Sequence, residues 1–151
     1  MRPFIAAVAS LWLAFFSLQS PAADTGTLEE AEALLKKAVA HYDKVGREKA
    51  LADFVRTPGP FVDRDLYVTV YDMEGNSLAH INPKMVGKNM LDLRDSDGKY
   101  IVKERLDGAR AKPSGYIDYK FFNPVTKKVE PKRAYWYRHG DLLFTAGAYV
   151  K

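Results

Sequence analysis

Along this chain the spacing of apolar residues changes more than once, and each change marks a change of element. From Thr27 to Val45, the residues Leu28, Ala31, Leu35, Ala38, Val39, Tyr42 and Val45 recur at the three-or-four spacing of a helix with one buried stripe. Thr27 and Glu30 have capping-box spacing, Glu29 and Glu32 suit the positive end of the helix dipole, and Gly46 supplies a stop. A shorter helix is predicted from Arg47 to Val55, with Leu51, Phe54 and Val55 inward, until Pro58-Gly59-Pro60 breaks it. Past that break the period falls to two. Leu66, Val68 and Val70 alternate with Tyr67, Thr69 and Tyr71, and Glu74-Gly75-Asn76 turns the chain into a second strand, Ser77 to Ile81, to give a β-hairpin. Weaker helical spacing returns over Tyr100 to Ala111 through Ile101, Val102, Arg105 and Leu106. Three further strands, Gly115 to Phe122, Val129 to His139 and Leu142 to Val150, are joined by turns at Asn123-Pro124 and His139-Gly140-Asp141. This order predicts an α+β domain: a five-stranded antiparallel sheet with a long N-terminal helix on one face and an irregular segment on the other.

The residues ahead of this pattern have a different character. Arg2, the apolar run Phe4 to Leu18 and the small residues Ser20-Pro21-Ala22-Ala23 read as a secretory signal peptide over residues 1–23, cut after Ala22 or Ala23. The run of roughly 15 apolar residues is shorter than the ~20 of a spanning helix, and an uncleaved anchor is the alternative. Residues 24–151 then make one domain, long enough for a hydrophobic core. With 0 cysteines there are no disulfides and no thiol chemistry, and export without cysteine suits a bacterial periplasm. The 23 Lys and Arg against 19 Asp and Glu are interspersed along the chain, which argues against nucleic acid as a partner. A small positive excess suits anionic small molecules as well as plain solubility.

The irregular segment "AHINPKMVGKNMLDLRDSDGKY", Ala79 to Tyr100, is too apolar for an idle loop and too broken for a regular element. Within it His80 stands at the end of a strand, whereas His41 in the long helix and His139 in a tight turn read as exposed. Asp95, Asp97, Gly98 and Glu104 match an EF-hand loop except at its first position, which holds Leu93, so no metal is expected. Ser96 or Asp97 is expected instead to cap the helix that begins near Tyr100. No G-x-S-x-G, phosphate-binding glycine loop or H-E-x-x-H occurs, and no enzyme is expected. Tyrosine is the outlying residue type, with eight in the second two-thirds of the chain, at positions 67, 71, 100, 116, 119, 135, 137 and 149. Each alone suits sheet packing. Several on one face, beside Lys132, Arg133 or His80, would make a pocket with apolar walls and hydrogen-bonding tips, suited to a carboxylate.

"AHINPKMVGKN", "LRDSDGKY", "GYIDYKFFNP", "EPKRAYWY" and a terminal "GAY", in this order, resemble the single Cache domains of bacterial extracytoplasmic sensing, in particular the second small-Cache type, over Thr27 to Val150. The resemblance implies a PAS-like sheet and a cavity between that sheet and the looped segment. It also implies a small ligand, often a short carboxylic acid, and no cofactor. On it, His80 and Asn89 are the segment's polar contacts, Met85 and Met90 its adaptable lining, and Tyr119 a further wall. Lys132 and Tyr135 match P-K-x-x-Y, and Tyr149 the terminal G-x-Y. Residues 132 and 135 of a regular strand point to opposite faces, so both reach one pocket only if Pro131 or a bulge re-aims one of them. Since the sequence stops at Lys151, the expectation is a protein that binds its ligand freely in the periplasm or presents it to a separate membrane-bound receptor. The alternative is the same fold with a filled core, acting without ligand as a module that modulates a membrane-bound sensor.

Overall fold

Thr27 begins the first helix as its spacing predicts. Its hydroxyl accepts the Glu30 amide at 3.2 Å while the Glu30 carboxylate accepts the Thr27 amide at 2.7 Å, so both free donors are satisfied. The resulting helix α1 spans Leu28–Val45 and ends at Gly46, whose φ of +83° a residue with a Cβ would resist. Helix α2, Arg47–Val55, follows at once. The computed structural model describes residues 25–150, so the expected signal segment lies outside the described residues.

The strands are β1 (Val62–Asp63), β2 (Leu66–Asp72), β3 (Ser77–Ala79), β4 (Ser114–Phe122), β5 (Val129–His139) and β6 (Leu142–Tyr149). Five of them form the expected antiparallel sheet, and the two-residue β1 adds a short edge beside β2. The predicted meander is present as β4, β5 and β6, and β6 then pairs back onto β2, placing the C-terminal strand in the middle of the sheet. Both long pairings of β5 keep continuous register from end to end, with Lys132 opposite Tyr149 and Tyr119 opposite Lys132.

Alternation along these strands makes two separate cores. One face carries Leu66, Val68, Val70, Phe144 and Ala146 beneath Leu35 and Ala38 of α1 and Phe54 of α2. The other carries Tyr71, Ile117, Ala134, Trp136 and Leu143 beneath Met90 and helix α3, Ile101–Ala111. The short helix therefore shares the second face with the irregular segment. Its distance from the sheet is set by Trp136: a Cβ at Gly108 of α3 or at Gly115 of β4 would lie 2.9 Å or 2.4 Å from the indole. Two glycines thus let a large ring fill the gap, and α3 is held with Arg105 one turn before Gly108, facing the sheet.

The irregular segment is fastened at many points. Its backbone runs beside β3, with the Ser77 amide donating to the Lys88 carbonyl at 2.9 Å and the Met90 amide to Gly75 at 2.8 Å. Asp95 closes its second turn by accepting the Asp97 and Lys99 amides, and its other oxygen accepts the Lys120 amide of β4 at 3.1 Å. Neither Ser96 nor Asp97 caps α3, which begins without a side-chain cap; the acid that organises this turn is Asp95. The two remaining histidines are also engaged. His41 Nε2 meets Asp53 at 2.8 Å between α1 and α2, and His139 Nε2 meets Asp43 at 2.7 Å.

Candidate functional site

On the α3 side of the sheet, residues of four strands, most of them polar, line one spot. β2 presents Tyr67, Thr69 and Tyr71, β6 Thr145 and Gly147, β5 Lys132, and β4 Tyr119 and Phe121. Arg105 and Ile101 of α3, His80 just after β3, and Leu93 of the irregular segment complete the enclosure. The free volume inside is about 10 Å3, close to what one water occupies.

The electrostatics of this enclosure are one-sided. Arg105 and Lys132 are 3% and 2% exposed, and among the described residues neither forms an ion pair. Lys132 Nζ lies 3.9 Å from the centre of the Tyr67 ring and 4.5 Å from that of Tyr149, while the Arg105 guanidinium lies 4.7 Å from the Tyr119 ring. Ring faces attract cations, but they do not neutralise them. The Arg105 Nε and the Thr145 hydroxyl are buried without a hydrogen-bond partner. Among the described residues, Asp65 is the carboxylate whose charge supports Lys132, and its oxygens are already bonded by the Gly26 amide at 2.7 Å and the Asn123 side chain at 3.3 Å.

The ionisable groups register this directly. Burial, and then the neighbouring Arg105 charge, hold the Lys132 ammonium well below the usual lysine range. Burial followed by the charges of Lys132 and Arg105 lowers His80 to about 4. Its Nδ1 accepts the Asn82 amide at 2.9 Å, which leaves the proton of the neutral ring on Nε2. Burial also raises Tyr67 and Tyr119. The site is a cluster of donors and cations from which acceptors are nearly missing.

His80, Tyr119 and Lys132 are brought together here, as the sequence suggested. Tyr149 stands beside them through its ring, but its hydroxyl proton goes to the Phe122 carbonyl at 2.6 Å, so it is not a free donor. Met85 lines an adjoining groove of about 320 Å3 that shares Tyr67, His80 and Phe121 with the enclosure. Met90 is a core residue packed among the side chains beneath α3. Two expectations are corrected. Continuous register through Pro131 leaves no bulge, so Tyr135 lies on the opposite face, in a groove against Leu35 and Val39 of α1. Asn89 faces away from the enclosure: its amide donates to the Glu74 carbonyl at 2.9 Å and to Asn76 at 3.0 Å, and its oxygen accepts the Leu91 amide. Asn89→Ala is expected to cost about 1–2 kcal/mol of stability through loss of these bonds, measurable as a lower urea midpoint.

Sequence reasoning passed over Arg105, Thr69 and Thr145 as candidates, and left Tyr67 and Tyr71 unassigned among the tyrosines. A signal existed for the first: an arginine set inside the apolar stripe Ile101, Val102, Leu106 is out of place unless it has something to face. Tyr67, Thr69 and Tyr71 also share strand parity, and a strand whose second face is polar yet fully buried marks a lined cavity.

A family model described as Single Cache domain 2 matches residues 18–140. The sensor histidine kinase MctS of Rhizobium johnstonii is 34% identical over 73 residues, a stretch amounting to 48% of this chain and 16% of that protein. Among solved structures, a methyl-accepting chemotaxis protein from Vibrio parahaemolyticus superposes with a TM-score of 0.69 at 23% identity, covering 82% of this chain and 88% of that one. A periplasmic sensor domain of a chemotaxis protein gives 0.63 at 24% identity, with 82% and 90% covered. A Cache chemosensory domain studied for carboxylic acid recognition gives 0.63 at 19% identity, with 82% and 88% covered. At these identities the structural likenesses establish a shared fold.

Proposed function

The chain belongs to the Single Cache domain 2 family of sensor domains, and from that premise we propose that it binds a small carboxylate on the periplasmic side of the membrane as the input of a signalling event. The observation that carries this reading is the pair of buried cations, Arg105 and Lys132, that converge on one enclosure with no ion-pair partner among the described residues. An unpaired buried cation is costly. A carboxylate entering between them would gain two charge-assisted contacts at once. The Arg105 Nε, the Thr145 hydroxyl and the His80 Nε2 proton are the neutral and cationic donors left over for its oxygens. Tyr67, Tyr71 and Tyr119 supply the walls.

This reading takes residues 1–23 as the export signal and residues 24–151 as one ligand-binding domain. The periplasmic setting is supported by that signal and by the neighbour described as a periplasmic sensor domain. A membrane-bound receptor is the proposed recipient of the signal, in keeping with the sensor kinase among its relatives. Binding, not turnover, is the proposed activity.

The small free volume of about 10 Å3 favours a second reading, in which the core is filled and the domain modulates a membrane sensor without ligand. The two separate cleanly in a thermal-shift screen of refolded protein against C2 to C4 monocarboxylates, their hydroxy and oxo derivatives, dicarboxylates, amino acids and amines. A bound acid at a hundred times its dissociation constant should stabilise the fold by about 2.7 kcal/mol. Stabilisation confined to carboxylates supports the first reading. Stabilisation by amines alone, or a flat response to every acid, sinks it.

A further inference from the structure

Exposed apolar side chains are not spread evenly over this surface. Of the large ones left open among the described residues, Val86 and Tyr116 stand apart, but Phe122, Val125, Val129 and Val150 all lie at one end of the sheet, between 41% and 59% exposed. Phe122 and Val129 are partners across the β4–β5 pairing, Val125 sits in the turn between those strands, and the Val150 amide donates to the Pro131 carbonyl just beyond. Single exposed valines mean nothing; a cluster at a hairpin tip does.

Two basic side chains at this tip are left unpaired. Lys127 and Lys128 are exposed in the same turn, and among the described residues neither forms an ion pair. The nearby carboxylates are held by other groups and not by these lysines: Asn123 donates its side-chain amide to Asp65 at 3.3 Å and to Glu130 at 2.7 Å. Arg64 likewise binds Asp63 and Glu30, both at 2.9 Å. The tip is therefore an apolar wedge flanked by two free ammonium groups.

Its position adds the second argument. The described chain begins at the same end, where the Gly26 amide and Asn123 share Asp65. The apolar run Phe4 to Leu18 precedes that point by only a few residues of sequence. Until residues 1–23 are cut off, that run tethers this end of the domain, and not the opposite end at the His139–Leu142 turn, closest to the bilayer; afterwards the hairpin tip alone has to make the contact.

We infer that the β4–β5 hairpin tip is a lipid-docking surface, with Phe122, Val125 and Val129 entering the headgroup region of an anionic membrane and Lys127 and Lys128 on its phosphates. Interfacial binding of this kind combines buried apolar area with attraction of basic residues to anionic lipid. It would set the domain upright on the membrane, with the cation-lined enclosure held at a fixed height and orientation. The inference stands whether or not the enclosure binds a carboxylate.

The chain has 0 cysteines, so a single one can be labelled cleanly. Val125→Cys and, at the far end, Asp141→Cys would each carry a polarity-sensitive fluorophore on the exported protein as cells produce it, with circular dichroism confirming an unchanged fold. Vesicles of phosphatidylethanolamine with phosphatidylglycerol should shift the emission at position 125 to the blue and leave position 141 unchanged. K127E with K128E should weaken that response at least tenfold, and vesicles of phosphatidylcholine alone should produce less of it. No shift at position 125, equal shifts at both positions, or a response indifferent to lipid charge and to the lysine changes overturns the inference. So does a shift that appears only when a second protein is added, which would assign the patch to a protein partner.

Discussion

Lys132→Met is expected to make the protein more stable and to weaken its binding of the acid. The ammonium is 2% exposed and has no carboxylate of its own, so the fold bears the cost of removing it from water. The Tyr67 and Tyr149 rings return part of that cost, at about 1–2 kcal/mol for a desolvated cation over an aromatic face. Methionine, one atom shorter, keeps most of the apolar stem against the Tyr67 and Tyr149 rings while removing the charge. Replacing buried charges by apolar groups of similar volume is neutral to stabilising by 1–4 kcal/mol, so a gain of about 1–2 kcal/mol in denaturant unfolding is expected. Binding moves the other way. A charge-assisted hydrogen bond contributes about 1.5–3 kcal/mol, so calorimetry against whichever acid the thermal screen identifies should show a loss of roughly 10- to 100-fold. Arg105→Met should behave in the same sense. If both variants are destabilised and the acid binds them unchanged, the cations are structural and the enclosure is not the site.

Much of this was legible because it is local. The capping box at Thr27, the breaks at Gly46 and Pro58, the alternation through Leu66 to Tyr71 and the turns at Asn123 and Gly140 are all written within a few residues of where they act. Strand parity alone raised the question about Tyr135, and unbroken register answered it. The remainder depends on contacts between distant residues. That β6 closes onto β2, bringing Thr145 beside Thr69, is a pairing across more than half the chain, and no periodicity encodes it. Asn89 reads as a pocket residue only through the family resemblance. Its partners turned out to be Glu74 and Asn76, which the hairpin turn brings alongside. Arg105 was visible as an arginine in an apolar stripe, yet its meaning required knowing that Lys132 and His80 face it from β5 and from the end of β3.

Those three groups together predict the response to acid. His80 has an ordinary value of 6.5 and stands at about 4 in the fold. Above pH 6.5 the ring is neutral both folded and unfolded, and no stability depends on it. As pH falls through 6.5, the unfolded chain takes up a proton that the folded protein refuses, so stability is lost until the folded ring protonates near 4. At about 1.4 kcal/mol per tenfold change, the full loss is about 3 kcal/mol. Asp53, Asp63 and Asp118 are held below the usual carboxylate range by their basic partners, so their losses come at still lower pH. His80→Asn keeps an acceptor for the Asn82 amide and removes the titration. Urea unfolding at pH 7.5 and 4.5 should therefore show the native protein losing about 2–3 kcal/mol more than the variant. The same comparison in saturating acid ligand gives a further reading. Burial, the larger cause of the lowered His80 value, persists in the complex, but a carboxylate between Arg105 and Lys132 cancels the charges that add to it, so the gap between native protein and variant should narrow in part when ligand is present. A gap that does not narrow would place the ligand away from this cluster, even if the ligand binds.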